Sequence, residues 1–255
     1  MVKIMSRKES LWLGLMIGNS RLHFALFDEN NKIKQVWDIN HLSQGELYQD
    51  CLSSLVPNFN QIPLYLASVV PNQTTFWERY PHLRMITLAN IPIEGMYSTL
   101  GIDRALALFG GGEYFGYPVL IIDAGTALTF TGVDAEKKFQ GGAIIPGLRL
   151  QIQSLAQKTG MLPEVGMNRQ LSRRFAQDTQ SAIQSGIIYT VLAGIVDFIN
   201  NWWLDFPQSK IVLTGGDRRV IFNYLRAVYS PIASQIIVDK DLIFWGMKKL
   251  HLLYV

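Results

Sequence analysis

The chain reads as an α/β protein built from two similar halves. Two observations carry that reading. The first is an internal repeat: Leu15-Met16-Ile17-Gly18-Asn19-Ser20 returns, with changes, as Ile122-Asp123-Ala124-Gly125-Thr126-Ala127. The second is the common setting of the copies. Each closes an apolar run, Leu11 to Ile17 and Val119 to Ile122, and leads through a glycine turn into a β-rich segment, His23 to Phe27 and Leu128 to Val133. A charged turn follows each, at 28–32 and 134–138. The period is too long for a solenoid. It predicts two half-domains, each ending its opening strand in a backbone-lined glycine turn.

The elements follow in order. Residues 1–10 read as a loose leader. Strands are expected at 11–17, 21–28 and 32–38, from β-rich composition bounded by polar turns. A helix is expected at 43–55, because Ser43 with Glu46 has capping-box spacing. A strand at 61–69, a helix at 73–80 and a strand at 83–88 complete the half. Gly101-Ile102-Asp103-Arg104 opens a helix to about 114, and Gly110-Gly111-Gly112 near its end signals close packing or a hinge. The second half brings strands at 118–123, 126–133 and 138–145, then Pro146-Gly147 and a helix to about 158. A long apolar helix with small residues (Ala182, Gly186, Ala193, Gly194) spans 179–203. Strand 210–213 ends in Thr214-Gly215-Gly216-Asp217, and helix 218–228, strand 235–238 and helix 241–251 close the chain. Hairpin-linked strands followed by alternating helices and strands, twice over, predict two α/β domains, 11–114 and 117–255. The cleft between two such domains is the default ligand site.

Composition narrows the function. The 255 residues are 49% hydrophobic and 17% charged, which describes a well-buried globular protein. Net charge is +3 with no long basic cluster, so no nucleic-acid surface is indicated. The single cysteine, Cys51, cannot form an intrachain disulfide and fits a reducing, cytoplasmic setting. No apolar run reaches the roughly 18 residues of a membrane span. Lys3, Arg7 and Lys8 before an apolar run mimic a signal peptide, but Glu9 interrupts and no small-residue cleavage site follows. P-loop, GxGxxG, CxxC, HExxH and GxSxG patterns are all absent. What remains is a set of glycine turns at strand ends: 18–20, 125–127, 141–147 and 214–217. Glycine lets a backbone approach an anion closely, and turn N–H groups hold phosphate oxygens.

Taken together, Gly18-Asn19-Ser20, Gly101-Ile102-Asp103-Arg104, Asp123-Ala124-Gly125-Thr126-Ala127, Gly141 to Gly147, Thr159 to Pro163, Asp178-Thr179 with Ala182, Ile183 and Gly186, and Thr214-Gly215-Gly216 resemble the type III pantothenate kinases. That family lies in the superfamily of actin and the acetate and sugar kinases. The resemblance covers nearly the whole chain. It implies two actin-like (ribonuclease H-like) domains around a central cleft, a homodimer, and ATP-dependent phosphorylation of pantothenate to 4'-phosphopantothenate at the start of coenzyme A biosynthesis. It implies ATP, Mg²⁺ and a monovalent cation, K⁺ or NH₄⁺, as cofactors.

Asp103 resembles the family's catalytic base. A carboxylate suits that role, since it accepts the alcohol proton late in phosphoryl transfer, and a helix N-terminus should keep it ionised. Read alone, it is more readily a first-turn helix residue. Gly101 and Arg104 fall to pantothenate, with Arg104 on its carboxylate; alone, Arg104 reads as a surface ion pair. Thr179 resembles a substrate contact that a partner subunit can supply, or serves as N-cap of the long helix. Tyr97 lines the pantothenate pocket or is a rim tyrosine. Gly18, Asn19, Ser20 and Thr126 resemble phosphate contacts. Gly215 and Gly216 let the backbone lie against adenine or ribose, or form a plain turn. Asp123 resembles the acid that places the monovalent cation, or is a turn-forming aspartate.

The first motif departs from the family, which has Asp-x-Gly-Asn-Thr and a lysine three places on. Here Met16, Ser20 and His23 stand in those places. Met16 removes a charge that should organise magnesium, and histidine replaces a permanent cation with one mostly neutral at pH 7. Both changes fall on the nucleotide side. They leave open a catalytically weak paralog acting as a pantothenate- or nucleotide-binding regulatory protein, or another phosphotransferase of the superfamily.

Overall fold

In a computed structural model the chain is described over residues 11–167 and 171–254. The expected leader at 1–10 lies outside the described residues. The first unit holds β1 (Trp12–Ile17), β2 (Leu22–Phe27), β3 (Ile33–Ile39), α1 (Tyr48–Leu52), β4 (Leu64–Ser68), α2 (Pro71–Thr74) and β5 (Leu83–Met85). Helix α3 (Ile102–Phe115) follows. The second unit holds β6 (Val119–Ala124), β7 (Ala127–Val133), β8 (Phe139–Pro146), α4 (Leu148–Lys158), α5 (Thr179–Asp205), β9 (Lys210–Thr214), α6 (Arg218–Val228), α7 (Ser230–Ala233) and β10 (Ile236–Val238), and α8 (Leu242–Tyr254) ends the chain. By compactness, residues up to Ile91, Ser98–Leu106 and those from Ile243 on form one unit, and Pro92–Tyr97 with Ala107–Leu242 the other.

The repeat is realised strand for strand. One sheet has the order β3-β2-β1-β4-β5 and the other β8-β7-β6-β9-β10. In each, the first three strands are antiparallel neighbours and the last two run parallel to the first. The α/β expectation holds. In β1 the odd positions Leu13, Leu15 and Ile17 join the core under α1 with Trp77 and Tyr80. In β6, Leu120, Ile122 and Ala124 pack with α4, α5 and α6. Two-residue periodicity sends the alternate side chains to the opposite face. There Gly14 of β1 faces Met247 and Phe244, and a Cβ on Gly111 of α3 would press on Ile121. The glycine tract near the end of α3 is therefore close packing: a Cβ on Gly112 would overlap the Tyr117 ring.

Three expectations need correction. The helix at 43–55 shrinks to α1. Glu46 does accept from the Ser43 N–H at 2.6 Å, as a capping box would, but the chain makes a turn there and the helix starts at Tyr48. Local capping satisfied one donor without a packed face to propagate the helix. The helix at 73–80 is α2 followed by a tight 3₁₀ turn at Thr75–Trp77, and the strand at 83–88 stops at Met85. Helix α5 has the length and apolar composition of a membrane span, although 44% of its most apolar stretch is buried in the fold. Ile183, Ile187, Ile188, Val191, Leu192, Ile195 and Ile199 form its buried face in the second unit's core, which accounts for the apolar character.

Candidate active site

In the second unit three glycine turns converge on the end of β6. Gly125 N–H donates to Ala127 O at 3.0 Å and closes the repeat turn. Gly147, between β8 and α4, donates to Thr126 O at 2.8 Å, and a Cβ there would run into the Gly125 and Thr126 carbonyls. Gly215 follows β9 with φ +90°, a conformation glycine adopts without strain. A Cβ on Gly215 would collide with the Asp123 carboxylate and the Ala124 backbone. Asp217 N–H reaches back to Ala124 O at 2.8 Å. These contacts gather glycine and main chain at the end of β6 beside Asp123, with Thr126 and Gly216 exposed. Exposed glycine and main chain of this kind suit a phosphate-bearing ligand.

Two residues that sequence reasoning had not assigned stand beside these turns. Arg149, in the first turn of α4, places Nε 3.2 Å from Asp217 Oδ1. The Asp217 side chain is 9% exposed and that of Arg149 70%. No signal in the sequence links residues 68 apart. Arg218 donates from its guanidinium to Gly215 O at 2.7 Å and steadies the same turn.

The first unit carries the other turn. Gly18 N–H donates to Arg21 O at 3.0 Å, and Asn19 and Ser20 are exposed. Met16, in the register position that Asp123 holds in β6, is 1% exposed and sits opposite His23 and Ala67. His23 is paired through Nδ1 with Asp38 at 2.8 Å.

Asp103 lies in the first turn of α3, in the first unit. Its Oδ1 accepts from the Arg104 N–H at 2.8 Å, and a Cβ on Gly101 would strike that same oxygen. Gly101 is thus the residue that lets the carboxylate fold back over the helix start. Burial pushes the Asp103 carboxyl above its ordinary value; the Arg104 backbone bond and the Arg104 charge pull the other way and lose. The helix N-terminus expected to favour the ionised form therefore works against desolvation at this carboxyl. Arg104 itself is 7% exposed, so the surface ion-pair alternative does not describe it. Tyr97 is exposed and meets Phe139 edge-on at 5.7 Å between ring centres. The N-cap of α5 is Asp178, which accepts from Ser181 N–H at 2.9 Å; Thr179 is the exposed first helical residue, one place past the cap.

Among the described residues no group of three or more His, Cys, Asp or Glu is disposed to hold a metal.

Comparison with known proteins places the chain in a family. The family model for type III pantothenate kinase matches residues 12–201. A type III pantothenate kinase from Nostoc sp. is 48% identical over 94% of this chain and 94% of its own length. One from Synechocystis sp. is 42% identical over 96% of this chain and 91% of its own. In fold, the chain is similar to a ROK family glucokinase from Streptomyces griseus, with a TM-score of 0.51 at 14% identity over 94% of this chain and 99% of the other.

Proposed function

The chain belongs to the type III pantothenate kinase family, and from that premise we propose how its residues carry the reaction. It is an ATP-dependent kinase that phosphorylates pantothenate to 4'-phosphopantothenate, opening coenzyme A biosynthesis. The comparisons contain nothing that favours the regulatory alternative.

The observation that carries the residue assignment is the partly buried Asp103 carboxylate folded over Gly101. Asp103 is the base. The pantothenate hydroxyl attacks the γ-phosphorus, the bond from that phosphorus to the bridging oxygen of ADP breaks, and the hydroxyl proton passes to Asp103 Oδ. A carboxyl whose proton affinity burial has raised is better matched to that proton than an exposed one. Arg104, fixed by burial, takes the substrate carboxylate, with Gly101, Tyr97 and Thr179 as further pantothenate contacts. Gly18, Asn19, Ser20 and Thr126 take phosphate oxygens, and Gly215 and Gly216 face the nucleoside. Asp123 holds a monovalent cation, K⁺ or NH₄⁺, whose charge offsets that of the phosphates. When bound with the nucleotide, Mg²⁺ would supply electrostatic stabilisation of the transferring group. Identical strand order supports repeat units at 11–114 and 117–255.

The exposed side of α5 between Thr179 and Val196 carries no charged residue, and a Cβ added at Gly186 or Gly194 would meet nothing within 4 Å. That face supports a homodimer; light scattering that finds only monomer at micromolar concentration rejects it. The lone Cys51 supports a cytoplasmic setting. The central test is Asp103→Asn. Turnover with saturating ATP and pantothenate should fall by at least the ~10²-fold typical of a lost general base, with the melting temperature maintained. Full turnover removes Asp103 from the mechanism.

A further inference from the structure

The first glycine turn is flanked by histidines whose chemistry the reaction scheme has not used. His23 on β2 lies directly opposite Asp38 on β3 and opposite Met16 on β1. Its Nδ1 is 2.8 Å from Asp38 Oδ1, and a Cβ built on Gly18 would lie 3.4 Å from its Nε2. His41 has its Nε2 2.8 Å from Gly18 O, where the carbonyl can only accept, so His41 donates and braces the turn. We propose that His23 is the phosphate-contacting cation of the first turn, that Asp38 positions it, and that nucleotide binding there takes up one proton. The inference rests on the reading of Gly18-Asn19-Ser20 as a phosphate turn.

The argument is one of donors and acceptors. An ionised carboxylate only accepts, so Nδ1 carries a proton toward Asp38. In the neutral ring Nε2 is then a lone pair. A lone pair beside Gly18 repels a phosphate oxygen, which is itself an acceptor. Only the imidazolium donates from both nitrogens and adds a charge of the right sign. Histidine changes charge between pH 5 and 8, so nucleotide binding through this residue follows pH where a lysine in its place would not. Of the charged and titratable groups around His23, Asp38 on β3 pairs with it directly, Arg21 precedes it by two residues in the turn, and His41 is engaged with Gly18 O; β1 contributes the uncharged Met16. The side chains of His23 and Asp38 are 40% and 42% exposed, so both are open to solvent protons and to substitution.

The test measures the KM for ATP from pH 6 to pH 8 in the wild type, His23→Lys, His23→Gln, Asp38→Asn and Ser20→Ala. Dividing wild-type by His23→Lys values removes the titration of ATP itself. That ratio should climb with pH, by up to about tenfold per unit, the limit for one linked proton. His23→Gln should match wild type at pH 8 and bind ATP more weakly at pH 6. Asp38→Asn should move the rise to lower pH, an effect that loss of a merely structural contact would not produce. A ratio independent of pH, or a His23→Gln defect equal at both ends, overturns the proposal while a raised KM in Ser20→Ala keeps the phosphate turn. If Ser20→Ala leaves the KM for ATP unchanged, the phosphate-turn reading itself falls, and this proposal with it.

Discussion

The turns that close β1 and β6 hold the same place in sheets of the same strand order, yet their surroundings differ. In the second unit the key position of the strand is Asp123, partly exposed; Gly125 and Gly215 lie beside it, and Gly147 packs on the backbone of residues 125 and 126. In the first unit that position is Met16, sealed at 1% exposure. The turn after β4 is Val69-Val70-Pro71, where the second unit has Gly215-Gly216-Asp217 after β9. The first turn is also longer: four residues separate the paired Ile17 and Leu22, and three separate Ala124 and Leu128. One unit keeps a carboxylate among glycine turns; the other keeps a single glycine turn with titratable side chains beside it. A duplicated scaffold thus conserves strand order, which its core enforces, more strictly than the chemistry at its strand ends.

The largest effect that would break this comparison is on Asp123. Asp123→Asn should lower kcat by about 10²–10³-fold, the range for losing one preorganised electrostatic group, while Met16→Leu should change it little. Equal losses in steady-state assays would mean the turns are equivalent after all. Next comes the glycine contrast. Gly215→Ala should cost about 1–3 kcal/mol in denaturant unfolding, since the substitution sets a side chain in a strained left-handed conformation against the backbone. Gly18→Ala should be milder, because its nearest neighbour would stand at ordinary contact, 3.4 Å.

Met16→Asp asks whether the missing carboxylate can be restored. The sealed position predicts that it cannot be done without penalty. A buried carboxyl without partners should destabilise by about 1–3 kcal/mol, seen as a lowered melting temperature. A lower KM for ATP with an unchanged melting temperature would show instead that the first turn opens to accept a metal-organising acid. The smallest effect concerns Asp103, which shows what burying an acid in this fold entails. Its folded value is raised, so the neutral form is the one the fold prefers. Asp103 therefore weighs against stability once pH rises above its unfolded value near 3.8 and through the higher folded value. Asp103→Asn should melt no lower than wild type at pH 7, with any advantage vanishing toward pH 4. A variant that melts lower at pH 7 would indicate that the Arg104 interactions outweigh burial.

The chain by itself determined the elements and their repetition. Strand and helix positions from 118 to 251 were legible because alternation, turn glycines and Pro146-Gly147 are local signals, and helix 218–228 agrees residue for residue with α6. The residues suited to phosphate and acid–base chemistry stood out for the same reason. At 43–55 and 73–80 local signals misled, since a capping pair can form without a helix to cap. Tertiary structure alone decided what each side chain experiences: that Met16 is sealed in the position where Asp123 is partly exposed, that burial raises the Asp103 carboxyl, that Arg149 meets Asp217, and that His23 leans on Asp38 beside Gly18. Propensity and periodicity are written between near neighbours in sequence. Desolvation and ion pairing depend on which distant elements cover a residue, and no local pattern records that.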